Sequence, residues 1–528
     1  MTAVDTPRAG RREWIGLAVI ALPSLLYSMD LTVLYLAVPS LTKDLEPSSS
    51  ELLWTTDIYG FLIAGLLITM GTLGDRIGRR RLLLFGAAGF GAASVVAAFS
   101  TSAEMLIAAR AVLGVAAATL APSTLSLIRN MFHDPAQRTV AIGLWVTSYS
   151  VGAAIGPLVG GLLLESFWWG SVFLLAVPVM VLLLVVGPRL LPEFRDPRPG
   201  RFDLASAALS LVSVLTVIYG VKRMAEDGFG SQPAIAIAAG LVVGVVFLHR
   251  QGRLADPMID LRLFRVPAFS ASLAANALAL FAVFGVDLFI AQYLQLVLGM
   301  GPFEAGLWTL PSAAGFIVGS MLAPAIARAV RPALLVPGGL AVTAIGLAIL
   351  TQVGTDTGLA ALVTGSVVMA LGAAQVVTLS TDLIVGAAPP ERAGTASGIS
   401  ETGTELGGAL GIAILGSLGT AVYRSEVSGA VPSGVPSHAA EAVQDTLGGA
   451  LGVADRVPVS LIDAAIAAFT HGLQVAATAS AVLMLGMTVL AALLLRQVRT
   501  DGEPEVQPDR EPDGAIGGPA QVAHSLTG

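Results

Sequence analysis

GTLGDRIGRRR, Gly71 to Arg81, sets four arginines and one aspartate between two long apolar runs, residues 52–73 and 82–99. A helix crossing a ~30 Å hydrocarbon core needs roughly 20 apolar residues, so the charged stretch reads as a tight loop at a bilayer surface between two spanning helices.

The rest of the chain agrees. It has 528 residues, 55% of them hydrophobic and only 12% charged, with a mean hydropathy of +0.80. That balance excludes a soluble globular protein. A spanning β-barrel would show alternating ten-residue strands, whereas these apolar runs are continuous, so the spans are helical. They fall near 14–37, 52–73, 82–99, 105–128, 139–164, 169–190 and 203–221, then 232–249, 268–297, 303–328, 333–352, 358–385, 394–421 and 471–497. This predicts fourteen helices.

Loop charge orients them. With the N-terminus inside, 23 of the 29 Lys and Arg lie on inner segments, and five lie outside: Lys43, Lys222, Arg223, Arg424 and Arg456. Short inner loops accumulate basic residues, so both termini are expected in the cytoplasm. The divisions expected are a cytoplasmic N-terminus (1–13), a six-helix bundle (14–190), an inserted pair of helices 7 and 8 (203–249), a second six-helix bundle (268–497) and a disordered cytoplasmic tail (498–528). The second bundle contains one long outer loop, 422–468, in which AAEAVQDTLGGAL could form a short amphipathic element. The first apolar run is too long for a signal peptide and should be retained.

Several charges sit where a membrane makes them costly. Asp30, in MDLTVLYLAVP (Met29 to Pro39), lies roughly sixteen residues into the first span, where it could exchange a proton or pair with a neighbouring helix. Arg110, in LIAARAVLGVAAA (Leu106 to Ala118), cannot deprotonate. It could bias nearby carboxylates or make structural hydrogen bonds. Glu401 and Glu405, in SGISETGTELGGALG (Ser397 to Gly411), are four apart on one helical face. They should titrate as a coupled unit whose proton a lipophilic cation could displace, although either could instead hydrogen-bond a neighbouring helix. Asp287, in FGVDLFIAQYLQLVLGM, suggests a cavity-facing role. Asp57, beside Trp54 and Tyr59 near the outer end of helix 2, reads as a binding group or a solvated one. Asp382 and Glu391 approach the inner surface.

In SYSVGAAIGPLVGGLLLE (Ser148 to Glu165), Gly152, Gly156, Gly160 and Gly161 offer a smooth groove for close helix contact, and Pro157 removes a backbone donor and permits a bend. Tyr27, Tyr59, Trp145, Tyr149 and Trp308 could stack on a planar or quaternary cation. Aromatic residues also serve in packing faces and interface belts.

What is missing narrows the function. There is no GxxxxGK[ST] phosphate loop, no His or Cys metal spacing, no nucleophile elbow and no cysteine at all. ATP hydrolysis, a metal site, a disulfide framework and an enzymatic role are therefore unexpected. No feature points to nucleic acid.

The loop Gly71 to Arg81, the helix 1 pattern from Asp30 to Pro39, the single arginine in helix 4 and the glycine-proline run of helix 5 together resemble the major facilitator superfamily. Helix 13 resembles its fourteen-helix drug:proton antiporters, which include exporters of quaternary ammonium compounds and dyes. The likeness runs from Trp14 to Arg496. It implies an all-α membrane fold of two pseudo-symmetric six-helix halves with an inserted pair, six plus two plus six. It implies that Asp75, Arg76, Arg79 and Arg110 form a charge relay that gates the conformational change, and that the helix 5 glycines form an antiporter signature. Lipophilic mono- or divalent cations would exchange against protons at Asp30, Glu401, Glu405, Asp57 and Asp287, with no cofactor beyond a proton gradient. Such a protein would work as a monomer in the bacterial inner membrane. A narrow-specificity exporter of an endogenous metabolite or antibiotic has the same motifs.

Overall fold

The structure, a computed structural model, describes residues 9–195, 203–227, 230–254, 257–327, 332–355, 358–387, 393–432 and 434–495. The expected disordered tail lies outside them. Among the described residues there are helices and no strands.

The first half is α1 (Arg11–Leu45), α2 (Ser49–Ile77), α3 (Arg79–Ala98), α4 (Ala103–Met131), α5 (Pro135–Ser166) and α6 (Ser171–Leu190). An inserted hairpin follows, α7 (Leu204–Asp227) and α8 (Ser231–Arg253). The second half is α9 (Pro267–Gln292, ending in a π-helical turn), α10 (Pro302–Ala327), α11 (Pro332–Leu350), α12 (Leu359–Gly386), α13 (Ala393–Ala430) and, after the short α14 (Ser437–Asp445) and α15 (Leu447–Gly452), α16 (Val459–Leu495).

Local chemistry sets the helix ends. Ser48 and Glu51 form a reciprocal cap on α2, the Ser102 hydroxyl accepts from Met105 N–H on α4, and Asp134 caps α5 just ahead of Pro135. Within α1 the Ser28 and Thr32 hydroxyls turn back on the carbonyls of Leu25 and Met29. Such back-bonding loosens a helix, and α1 is bent by 45° between Asp30 and Thr32.

Among the described residues twelve helices are long and apolar enough to cross a membrane, and bent α1 makes a thirteenth. The fourteen expected are reached only by counting α11, whose apolar stretch, Leu334–Leu350, is shorter. The connection between α13 and α16 is also shorter than the loop expected. α13 runs on to Ala430 and α16 begins at Val459, so 431–458 remain, and the amphipathic segment within them forms α14 and α15.

Each half has its own core, one built around Ile20, Leu34, Phe90 and Leu113, the other around Ala279, Val286, Leu340 and Met369. The end carrying Arg79 to Arg81 is the basic face and the opposite end the far face. Contacts between the halves cluster toward the far face. Gln295 donates to the Leu36 carbonyl at 3.1 Å. A Cβ on Gly306 would lie 2.5 Å from the Pro157 oxygen, and one on Gly416 2.5 Å from Leu53. Over this seam sits the connection between α13 and α16. Tyr423 donates to the Val443 carbonyl, Arg424 pairs with Asp445 at 2.5 Å, and Ser49 at the start of α2 hydrogen-bonds the Asp445 carbonyl. α7 lies along the line where α2 meets α13, with Ile218 buried against Phe61, Ala409 and Ala413.

Candidate functional site

Two cations lie deep in the bundle, and each has a resident carboxylate. Arg110 on α4 is 1% exposed. Its Nη1 meets Asp30 Oδ2 at 2.5 Å, its Nε donates to the Thr55 carbonyl at 3.2 Å, and its guanidinium stands 4.4 Å from the Tyr59 ring centre. The bend of α1 falls at this aspartate. Lys222 on α7 is the second. Its Nζ lies 2.8 Å and 3.0 Å from the two oxygens of Asp57 and 3.9 Å from the Trp54 ring centre. Lys222 was expected in an outer loop, but α7 continues past it and buries it at 2% exposure. A hydropathy window stops at the first cation, while a membrane helix can carry one that has a partner.

Glu405, Glu401 and Asp287 have no such cation among the described residues. Glu405 on α13 is buried and accepts from the Tyr27 hydroxyl on α1 at 2.5 Å. Tyr27 in turn sits 5.7 Å from Tyr149 and 6.3 Å from Tyr59, ring centre to ring centre. The Tyr59 hydroxyl is buried without a hydrogen-bond partner, leaving an unused donor in the cluster. Glu401, one turn earlier, is exposed into a cleft lined by Pro23, Tyr27, Leu120, Trp145 and Tyr149. Trp145 is fixed there by donating to Thr124 Oγ1 at 3.2 Å. Asp287 on α9 is partly buried and makes no hydrogen bond or ion pair among the described residues. The structure thus brings Tyr27, Tyr59, Tyr149, Trp145, Glu401 and Glu405 together, sets the Asp30–Arg110 pair beside Tyr59, pairs Asp57 with Lys222, and leaves Asp287 apart.

The helix 5 glycines divide between two partners. Gly152, Gly156 and Gly160 face α1: a Cβ would lie 2.2 Å from the Leu25 carbonyl, 2.3 Å from Thr32 Oγ1 and 2.9 Å from Val33. The Ser28 hydroxyl also reaches the Tyr149 carbonyl at 2.6 Å. Gly161 faces the other half, where a Cβ would come within 2.6 Å of Phe303 Cα. The Pro157 carbonyl meets Gly306 on the same side.

At the basic face the Asp75 side chain lies outside the described residues. Arg76 is exposed, and Arg79 is buried with Nη1 3.4 Å from the Pro122 carbonyl. Glu193, which sequence reasoning missed, gathers this turn. It accepts from Arg80 N–H at 3.2 Å and lies 3.6 Å from Arg80 Nε and 3.7 Å from Arg81 Nε. Gly78, at φ +112°, allows the approach, since a Cβ there would meet the Glu193 carboxylate at 2.3 Å. The available signal was an acid directly after α6 in a basic segment. No group of three His, Cys, Asp or Glu that could hold a metal occurs among the described residues.

The family model of the Major Facilitator Superfamily matches residues 20–412. The chain is 44% identical to the multidrug efflux pump LfrA of Mycolicibacterium smegmatis, over 93% of this chain and 98% of that one. It is 35% identical to the methyl viologen resistance protein SmvA of Salmonella typhimurium, over 92% and 100%. To the tetracenomycin C resistance and export protein of Streptomyces glaucescens it is 33% identical, over 78% and 77%. Among solved structures, a bacterial homologue of the human lysosomal transporter Spinster, inward-facing and unoccupied, superposes with a TM-score of 0.66 at 18% identity, over 92% of this chain and 98% of that one.

Proposed function

Because the chain belongs to the Major Facilitator Superfamily and its relatives include a multidrug efflux pump and a methyl viologen resistance protein, we propose that it is a proton-coupled antiporter of the bacterial inner membrane that exports lipophilic cations such as quaternary ammonium compounds and dyes. The observation that carries this reading is the aromatic cleft with Glu401 at its wall and Glu405 behind Tyr27, neither carboxylate having a basic side chain on it among the described residues. An apolar cleft with a few converging polar groups is the usual form of a small-molecule site. Tyr27, Trp145 and Tyr149 offer ring faces to a planar or quaternary cation, and the carboxylates offer the charge.

The excess of arginine at the basic face makes that face cytoplasmic. With the halves in contact toward the far face, the cleft then serves the cytoplasm, the state that loads cargo. In the cycle, cargo cation and proton compete for the charge of Glu401 and Glu405. After the halves rock, protons from outside displace the cargo, and after the return they leave to the cytoplasm. Asp30 and Arg110 hold the bend of α1 and pass the state of the cleft to α4. The proton gradient supplies the energy. The name of the methyl viologen resistance relative supports this cargo class, methyl viologen being a planar dication. The tetracenomycin exporter supports a second reading, a narrow-specificity exporter of an endogenous product.

Ethidium efflux from cells expressing the parent, Glu405→Gln or Glu401→Gln, with and without a protonophore, tests the proposal. The parent should extrude dye, the protonophore should stop it, and each variant should lose gradient-driven efflux. A parent that moves no cationic dye under an intact gradient refutes broad cation export in favour of the narrow-specificity reading.

A further inference from the structure

The inserted hairpin meets the two halves with different chemistry. Toward α2 it offers the Lys222–Asp57 pair, with side chains 1% and 0% exposed, backed by the Trp54 ring. Two turns further along α2, Leu211 fills the space over Gly65, where a Cβ would come within 2.3 Å of Leu211 Cδ2. Toward α13 the packing is apolar alone: Ile218, Val214 and Leu215 share a cluster with Leu406, Ala409, Leu410 and Ala413, which Phe61 of α2 also joins. These contacts have different mechanical consequences. Apolar burial is non-directional and survives a shift of register, whereas a buried ion pair separates only by leaving two charges uncompensated.

We propose that Asp57 and Lys222 are a positioning pair that fastens the inserted hairpin to the first half, so that α7 travels with α2 and slides over α13 as the halves rock. On this assignment Asp57 carries neither proton nor cargo, because its counter-ion is built in. The hairpin keeps the α2–α13 seam covered while that seam moves. The proposal rests on the alternating-access reading above and adds the body to which the extra helices belong.

Two experiments test it. In the first, Asp57→Asn and Lys222→Met are made singly and together. Each single variant leaves one buried polar group without its partner and should lose at least about tenfold in dye efflux per folded molecule; the double variant should return to within about twofold of the parent. A double variant that folds but stays as inactive as Asp57→Asn overturns the proposal, because Asp57 would then be needed for itself. Thermal midpoints of the same four purified proteins need no cargo. Non-additive losses support the pairing even if the parent moves no dye, and additive ones reject it.

The second experiment uses the absence of native cysteine. A short bis-maleimide bridge across Gly65→Cys/Leu211→Cys should leave efflux intact, and one across Ile218→Cys/Ala413→Cys should stop it. The reverse pattern overturns the proposal. If the parent moves no dye, spin labels at the same sites replace efflux: 65–211 should give one distance and 218–413 two, and a single distance at both rejects the sliding.

Discussion

Gly152 and Gly161 lie nine residues apart in one motif, yet alanine at each should fail in a different way. A Cβ on Gly152 would stand 2.2 Å from both the Leu25 carbonyl and Ser28 Oγ. Relief requires α1 and α5 to part by about 1 Å, since interiors pack at van der Waals contact. Overpacking of this kind costs about 1–3 kcal/mol. The same shift breaks the 2.6 Å hydrogen bond from Ser28 to the Tyr149 carbonyl, worth about 1 kcal/mol. Because α1 and α5 belong to one half, the resulting loss of about 2–4 kcal/mol falls on the fold itself. At Gly161 the obstruction is the start of α10, with Phe303 Cα at 2.6 Å and the Pro302 carbonyl at 2.7 Å. Here the halves can separate, so a similar ~1–3 kcal/mol burdens only the state closed at the far face and shifts the two-state population by about 5- to 150-fold. Two measurements separate the cases: the thermal midpoint of purified protein, and the labelling rate of Leu36→Cys, a position 1% exposed in the far-face seam, by an impermeant maleimide. Gly152→Ala should lower the midpoint with little change in labelling. Gly161→Ala should accelerate labelling with a smaller change in midpoint. An unmoved midpoint in Gly152→Ala, or equal thermal losses with no change in labelling, would refute the division of the motif.

Three further outcomes are expected. Arg110→Met leaves Asp30 without its cation and Thr55 without its donor, and should cost about 3–5 kcal/mol in purified protein; Asp30→Asn in the same background should recover at least half, read from thermal midpoints. Gly78→Ala forces a side chain to φ +112° and into Glu193, which should cost about 1–3 kcal/mol and raise the exchange rate of the Arg79 amide, now bonded to the Phe194 carbonyl at 3.0 Å. At the foot of the hairpin, burial pulls the Asp203 carboxyl upward, but hydrogen bonds from Ser206 and Arg250 outweigh it and hold the group below the usual carboxylate range. A lowered carboxyl adds stability that is complete above its unfolded value, about 3.9, and lost as pH falls through the folded one. Melting of the parent should therefore weaken more steeply below pH ~4 than that of Asp203→Asn, and parallel curves would contradict it.

The fold was legible because its signals are one-dimensional: apolar length, loop charge and a glycine-proline run survive without knowledge of neighbours. Partnership did not survive in the same way. Asp30 and Arg110 each stood out as expensive, but nothing in a single sequence says that residues eighty positions apart share a bond. Lys222 was hidden by the rule that located the helices, since a basic residue after an apolar run ends a hydropathy window whether it reaches water or a buried aspartate. Glu401 and Glu405 were correctly seen as neighbours on a helix, but helical spacing cannot show that one turns to Tyr27 and the other to an open cleft. The glycine motif announced close packing without saying that its last member packs against a different body.

α13 has 38 residues, about 57 Å of helix against a hydrocarbon core of about 30 Å. From Glu405 to Ala430 it forms a rod of about 38 Å, so each degree of tilt near the carboxylate moves the far end by about 0.7 Å. That end carries Tyr423 and Arg424, which grip the α14 segment, while the same segment touches Ser49 on the opposite half. A hydrogen bond tolerates only about half an ångström of stretch, so the Ser49 contact parts within the first degree or two of rocking. The rod is a mechanical amplifier: it converts a sub-ångström adjustment at the cleft into an on-or-off contact at the surface, where a fluorophore could report single turnovers without touching the cargo site.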